Sequence, residues 1–102
     1  MAKFKKGDIV EITNFNDNYR NTLQSGIILI SEVLIEVNET KTYTTYYTDQ
    51  LSGNLTFTAY NKDYFDDLTC TKLLGNIYSD KALRLLYSPS SKRPNSPYKP
   101  SL

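Results

Sequence analysis

Histidine and tryptophan are absent from this 102-residue chain, and cysteine occurs once, at Cys70. Without an imidazole the chain lacks the usual proton shuttle near neutral pH and the usual zinc ligand. One cysteine excludes an internal disulfide and any cysteine cluster for a metal, so a reducing compartment is the simpler expectation. No apolar run approaches the roughly 18 residues of a membrane-spanning helix, and no apolar stretch of signal-peptide type follows Met1. The expectation is a soluble protein not exported through a signal peptide, with no membrane partner. Proline is missing from the first 88 residues; all four, Pro89, Pro94, Pro97 and Pro100, crowd into the end of the chain.

What remains is the composition of a small β domain. The length suits one domain with a single core. Nine tyrosines and four phenylalanines stand among 39% hydrophobic residues. Tyrosine joins a large apolar face to a polar tip and suits half-buried strands and interfaces. The stretch Phe4-Lys-Lys-Gly-Asp-Ile-Val-Glu-Ile12 reads as an entry into a first strand, turned by Gly7, with Val10 and Ile12 on the inner face. Residues 13–25 hold Asn14, Asn16, Asp17, Asn18 and Asn21 around Phe15, Tyr19 and Leu23, which predicts a long loop with apolar anchors. Gly26 opens the most hydrophobic run, Ile27 to Ile35, interrupted by Ser31-Glu32, where a bulge is expected. Asn38-Glu39 predicts a turn into a strand over 41–49, making a hairpin.

Ser52-Gly53-Asn54 predicts a second turn, followed by a strand in which Leu55, Phe57 and Ala59 face inward against Thr56, Thr58 and Tyr60. Residues 61–67 embed Tyr64 and Phe65 in polar surroundings and predict one helical turn that plugs a barrel end. Residues 68–74 return to strand. Ser79 is a fair cap for a short helix over 81–86, which must dock because it is too short to stand alone. From Ser88 onward the sequence predicts an extended arm that cannot build a core. The chain thus divides into a domain over 1–87 and a basic Pro/Ser-rich tail over 88–102.

Charge is segregated along this plan. Residues 1–6 carry three lysines and no acid, and residues 81–102 carry Lys81, Arg84, Lys92, Arg93 and Lys99 and no acid. Between them, residues 7–80 hold four basic and eleven acidic residues, a net −7. The formal total of +1 conceals an acidic body with basic ends. Such ends attract phosphate or an acidic protein, or they fold back on the acidic body. Asp63, Asp66 and Asp67 lack the spacing of a calcium loop and read as solvated turn carboxylates. Cys70 has no histidine to activate it and reads as a core thiol. No catalytic constellation, metal site or cofactor site emerges, and the expectation is a protein that is not an enzyme and has no small-molecule substrate. Tyr43, Tyr46, Tyr47 and Tyr60 offer either an aromatic surface or core and rim.

Taken together, Lys6-Gly7-Asp8-Ile9-Val10, Gly26-Ile27-Ile28 and Tyr64-Phe65 resemble an SH3-like small barrel, the five-stranded plan of KOW and Tudor domains and of many small phage proteins. The resemblance spans residues 4–74. It implies an all-β fold, with the short helix and the extended tail appended, and a cytoplasmic or virion-associated location. The expected function is a protein-interaction module whose basic arm docks on a neighbouring subunit in a homo- or hetero-oligomeric assembly, as a phage virion or accessory component. The candidate partner-binding residues are Phe15, Tyr19 and Arg20 on the asparagine-rich loop and Lys92, Arg93, Tyr98 and Lys99 on the arm. Two alternatives stand beside this reading. One is a KOW- or Tudor-like nucleic-acid-binding protein using Lys3, Lys5 and Lys6 together with the basic tail. The other is a phage inhibitor of a host protein that mimics a nucleic-acid surface.

Overall fold

A computed structural model describes residues 2–81 of the chain. The expected helix over 81–86 and the tail over 88–102 therefore lie outside the described residues, apart from Lys81. The elements are β1 (Asp8–Asp17), β2 (Thr22–Asn38), β3 (Lys41–Gly53), β4 (Ala59–Asn61), α1 (Lys62–Asp66) and β5 (Thr71–Asn76). The strands form one antiparallel sheet in the order β4-β3-β2-β1-β5, so the first strand lies between the second and the last. The protein is mainly β, as its strand-like stretches predict.

The opening stretch behaves as expected and does more than start a strand. Gly7 has φ +91°, a left-handed conformation that glycine adopts without a Cβ penalty. Its N–H donates to the Ile30 carbonyl at 2.8 Å, and its own carbonyl accepts from Ile77 N–H at 2.9 Å. One residue thereby ties the starts of β1, the middle of β2 and the exit of β5. Val10 and Ile12 are buried among Phe4, Ile28, Ile30, Tyr46, Tyr60 and Phe65. Ile9, on the opposite face, packs with Leu29 and Ile77 in a second, smaller cluster. The centre of the sheet is thus apolar on both sides, which is why the Ile27–Ile30 run is continuous rather than alternating.

The long loop expected over 13–25 is a strand hairpin instead. β1 runs on to Asp17, and pairing resumes as Phe15↔Gln24, Asn16↔Leu23 and Asp17↔Thr22 after a register shift between Ile12 and Phe15. The asparagines sit where the backbone needs them: Asn14 at the irregularity with φ 54° and Asn21 in the turn with φ 55°. Asparagine tolerates the left-handed region, so these residues mark a bulge and a tight turn rather than a loop. The expected bulge at Ser31 is present: pairing steps from Ile30↔Thr48 to Glu32↔Tyr47, and Ser31 Oγ–H donates to the Tyr47 carbonyl at 3.0 Å.

Around Gly53 the structure again departs from expectation. β3 continues through Gly53, which has φ +98° and faces Gly26 across the ladder. A Cβ on Gly53 would stand 2.1 Å from the Ser25 carbonyl oxygen, so two glycines meet where the strands approach most closely. Residues 54–58 form no strand. Two of their N–H groups use side-chain carbonyls: Leu55 N–H donates to Gln50 Oε1, and Thr56 N–H to Gln24 Oε1 at 3.2 Å, while Asn54 N–H donates to the Ser25 carbonyl at 2.9 Å. The irregular segment resets the alternation. Tyr60 points inward and Ala59 is exposed, the reverse of the predicted pattern.

The helical turn expected near Tyr64-Phe65 is α1. Asn61 caps it, its Oδ1 accepting from Asp63 N–H at 3.0 Å and Tyr64 N–H at 3.3 Å. Phe65 is fully buried and packs against the rings of Phe4, Tyr46 and Tyr60 at 5.4, 5.3 and 4.8 Å between centroids. The last strand is shifted two to three residues along the chain from the predicted 68–74. Cys70 is only half-buried, at the border of the core rather than within it.

Candidate functional site

The most developed surface lies at the tip of the β1–β2 hairpin. Asp17 is 1% exposed, and each of its carboxylate oxygens has two hydrogen-bond donors. Oδ1 accepts from Tyr19 N–H at 3.0 Å and Arg20 N–H at 3.3 Å, which shapes the turn. Oδ2 accepts from Gln24 Nε2 and from Thr56 Oγ1–H, both at 3.3 Å. Arg20 Nε stands 3.6 Å from the same oxygen and balances the buried charge. Thus one aspartate joins the hairpin tip to the irregular segment before β4.

Over this clamp opens a recess of about 320 Å³ between the hairpin tip, the 54–58 segment and α1. Phe15, Tyr19, Phe57 and Tyr64 line it, with Asp17 at its edge. The Phe15 ring stands edge-on to Phe57 at 6.1 Å and to Tyr64 at 6.4 Å. Phe57 and Tyr64 are 38% and 50% exposed, so both side chains reach solvent in part. Tyr60 lies beneath them, its ring 6.1 Å from that of Phe57. Its buried hydroxyl has no hydrogen-bond partner among the described residues.

Burial, with smaller contributions from Tyr64, Cys70 and Asp17, pushes the Tyr60 phenol up to about 12. Tyr46 is likewise pushed up to about 12, chiefly by burial; its hydroxyl donates to Asp66 Oδ1 at 2.7 Å and accepts from Phe4 N–H at 3.2 Å. An unfolded tyrosine titrates near about 10, so the folded state holds these protons more tightly. That contribution to stability is whole below pH ~10 and is lost as pH rises through about 12. Tyr60→Phe is therefore expected to flatten part of this alkaline loss in urea titrations at pH 9 to 12. At pH 8 it should raise stability by about 1 kcal/mol, because it removes a buried donor without a partner. A lower stability at pH 8 would contradict that assignment.

The residues singled out from sequence are distributed unevenly. Phe15, Tyr19 and Arg20 do share the hairpin tip, but Phe15 is 4% exposed and forms the recess floor rather than an exposed anchor. Tyr19 is 92% exposed. Lys92, Arg93, Tyr98 and Lys99 lie outside the described residues. At the other end, Lys5 Nζ is 3.8 Å from Asp8 and Lys6 Nζ 3.3 Å from Glu32, while Lys3 N–H donates to Asp66 Oδ2 at 3.2 Å. Lys3 Nζ stands 5.5 Å from the centroid of the Phe4 ring. The basic N-terminus thus folds back on the acidic body. Tyr43, Tyr46, Tyr47 and Tyr60 do not form one surface: Tyr46 and Tyr60 are core, and Tyr43 and Tyr47 are exposed.

Asp63, Asp66 and Asp67 belong to α1 and its cap; Asp66 is engaged by Tyr46 and by Lys62 Nζ at 3.4 Å. Among the described residues no group of histidine, cysteine or carboxylate side chains is placed to hold a metal ion. None of their helices is long and apolar enough to cross a membrane. Sequence reasoning missed Asp17, Phe57 and Tyr64 as parts of one site. The order Asp17-Asn-Tyr-Arg20 carried a signal for an aspartate-capped turn, whereas nothing local links Phe57 to a hairpin forty residues earlier. Comparison with known protein families, with curated proteins and with solved structures finds no match.

Proposed function

We propose that this chain is a non-enzymatic protein-interaction module of SH3-like barrel plan, whose basic C-terminal arm docks on a neighbouring subunit. The carrying observation is charge segregation. A body with a net −7 over residues 7–80 is followed by five basic residues and no acid over 81–102. The body already attracts the other basic end, through Lys5–Asp8 and Lys6–Glu32. Two further features support the barrel plan: β1 lies between β2 and β5, and a helical turn precedes the last strand. Small phage barrels of this plan make a virion or accessory component the setting we favour.

Two of the three cations that a nucleic-acid reading would use at the N-terminus are paired with carboxylates, which favours the protein-interaction reading. Deleting residues 88–102 tests it. The shortened chain should keep the circular dichroism and cooperative unfolding of the full chain but sediment as a smaller species at micromolar concentration. An unchanged sedimentation coefficient, corrected for mass, would contradict the reading.

A further inference from the structure

We propose that the outer edge of β2 over Glu32–Asn38 pairs with the same edge of a second copy of this chain, antiparallel and centred on Ile35. The contact is separate from arm docking and does not rest on it.

The edge is open because the neighbouring strand stops short. β3 pairs with β2 as far as Asn38, whereas β1 pairs with it only through Leu29, and Gly7 N–H reaches the Ile30 carbonyl. Beyond the bulge at Ser31, Glu32–Asn38 have a strand neighbour on one side alone among the described residues. A two-stranded ribbon of this kind holds poorly by itself and presents a row of unpaired backbone N–H and C=O groups. The opposite edge of the ribbon is shorter, since β4 takes β3 from Thr45 onward, and it begins with Lys41.

The usual protection of such an edge is missing from β2. Residues 33–37 contain no proline, glycine or lysine, and Val33, Leu34, Ile35 and Val37 are apolar. Ile35 and Val37 are 62% and 71% exposed, although β-branched side chains of this kind gain most from packing across strands.

Charge and length select a second copy and its register. Opposite residues of an antiparallel pair share a face, so a two-fold axis perpendicular to the sheet passes through a residue. An axis at Ile35 uses the whole open edge, with Glu32 opposite Asn38. It sets Ile35 against Ile35, Val33 against Val37 and Leu34 against Glu36, so that no acid opposes an acid. The neighbouring registers fail on this point. An axis at Leu34 opposes Glu32 to Glu36, and one at Glu36 sets that acid against itself; like charges directly opposite are destabilising. The Ile35 register also carries Glu39, in the turn, toward Lys6 of the other copy, whose Nζ stands 3.3 Å from Glu32.

The test places single cysteines at position 33, 35 or 37 of the full chain, with Cys70→Ser to remove the native thiol. Disulfide-linked dimer is followed on non-reducing gels under glutathione disulfide. Directly opposite residues lie within the Cα separation that a disulfide spans. Val33 and its own copy would stand about 13 Å apart along the strands, as would Val37 and its copy. The Ile35→Cys chain is therefore expected to dimerise roughly tenfold faster than Val33→Cys or Val37→Cys alone, because only opposed positions fall within disulfide reach. An equimolar mixture of the Val33→Cys and Val37→Cys chains should link as fast as Ile35→Cys. Equal rates at all three positions, fastest linkage at 33 or 37 alone, or no dimer overturns the proposal and leaves the arm reading standing. An arm deletion that leaves sedimentation unchanged overturns the arm reading alone.

Discussion

Phe65→Ala is expected to lower the stability of the domain by about 3–5 kcal/mol, the cost of truncating a fully buried phenylalanine. The side chain is 0% exposed and touches three other rings, Phe4, Tyr46 and Tyr60. α1 has five residues, far too few to persist without tertiary support. Phe65 is the helix's only buried residue, so its loss frees α1 and disturbs Tyr60 beneath the recess as well. For a domain of this size such a loss is a large share of a typical total stability of about 5–15 kcal/mol. Urea unfolding followed by tyrosine fluorescence measures it. A loss below about 1 kcal/mol would mean that α1 is not packed on the core as described.

Asp17→Ala is the second large effect, expected at about 2–4 kcal/mol. Its carboxylate accepts four hydrogen bonds from two separate parts of the chain; its removal leaves Gln24 Nε2 only the long contact to Thr22 Oγ1, Thr56 Oγ1 only Gln24 Oε1, and Arg20 without its counter-charge. Asp17→Asn keeps one carbonyl acceptor but adds donors facing Gln24 Nε2 and Thr56, so it should recover only part of the loss. Sign and order are readable from chemical denaturation of the two variants side by side. Equal stability of all three chains would contradict the clamp.

The parts of the fold legible in the sequence were those with a local cause. Gly7 before an apolar alternation, the bulge at Ser31-Glu32 and the helical turn around Tyr64-Phe65 each have their cause within a few neighbouring residues. The failures share a different cause. The asparagines of 14–21 read as a loop because asparagine and aspartate favour turn geometry, yet only Asn14 and Asn21 adopt it, and Asp17 and Gln24 are buried polar residues satisfied by each other and by Thr56. A buried polar network is invisible to a hydrophobic pattern, since its members look like surface residues. Tyr60 was assigned to the wrong face for a related reason. Residues 54–58 leave the sheet where Gln50 and Gln24 take the N–H groups of Leu55 and Thr56, and alternation cannot be carried across such a break. The recess inherits all of these: it is assembled from the hairpin tip, the irregular segment and the helix, three places that sequence periodicity treats as separate. Charge segregation, by contrast, needs no contacts and was fully legible from the residue order.

The most direct test of the account is a dilution series of the full chain followed by ¹⁵N–¹H correlation spectra, at low salt and again at high salt. The account predicts concentration-dependent shifts in the arm at 88–102 and in a patch of the acidic body, shrinking as salt is raised. Spectra that do not change with concentration, or shifts that leave the arm silent and do not respond to salt, would contradict it.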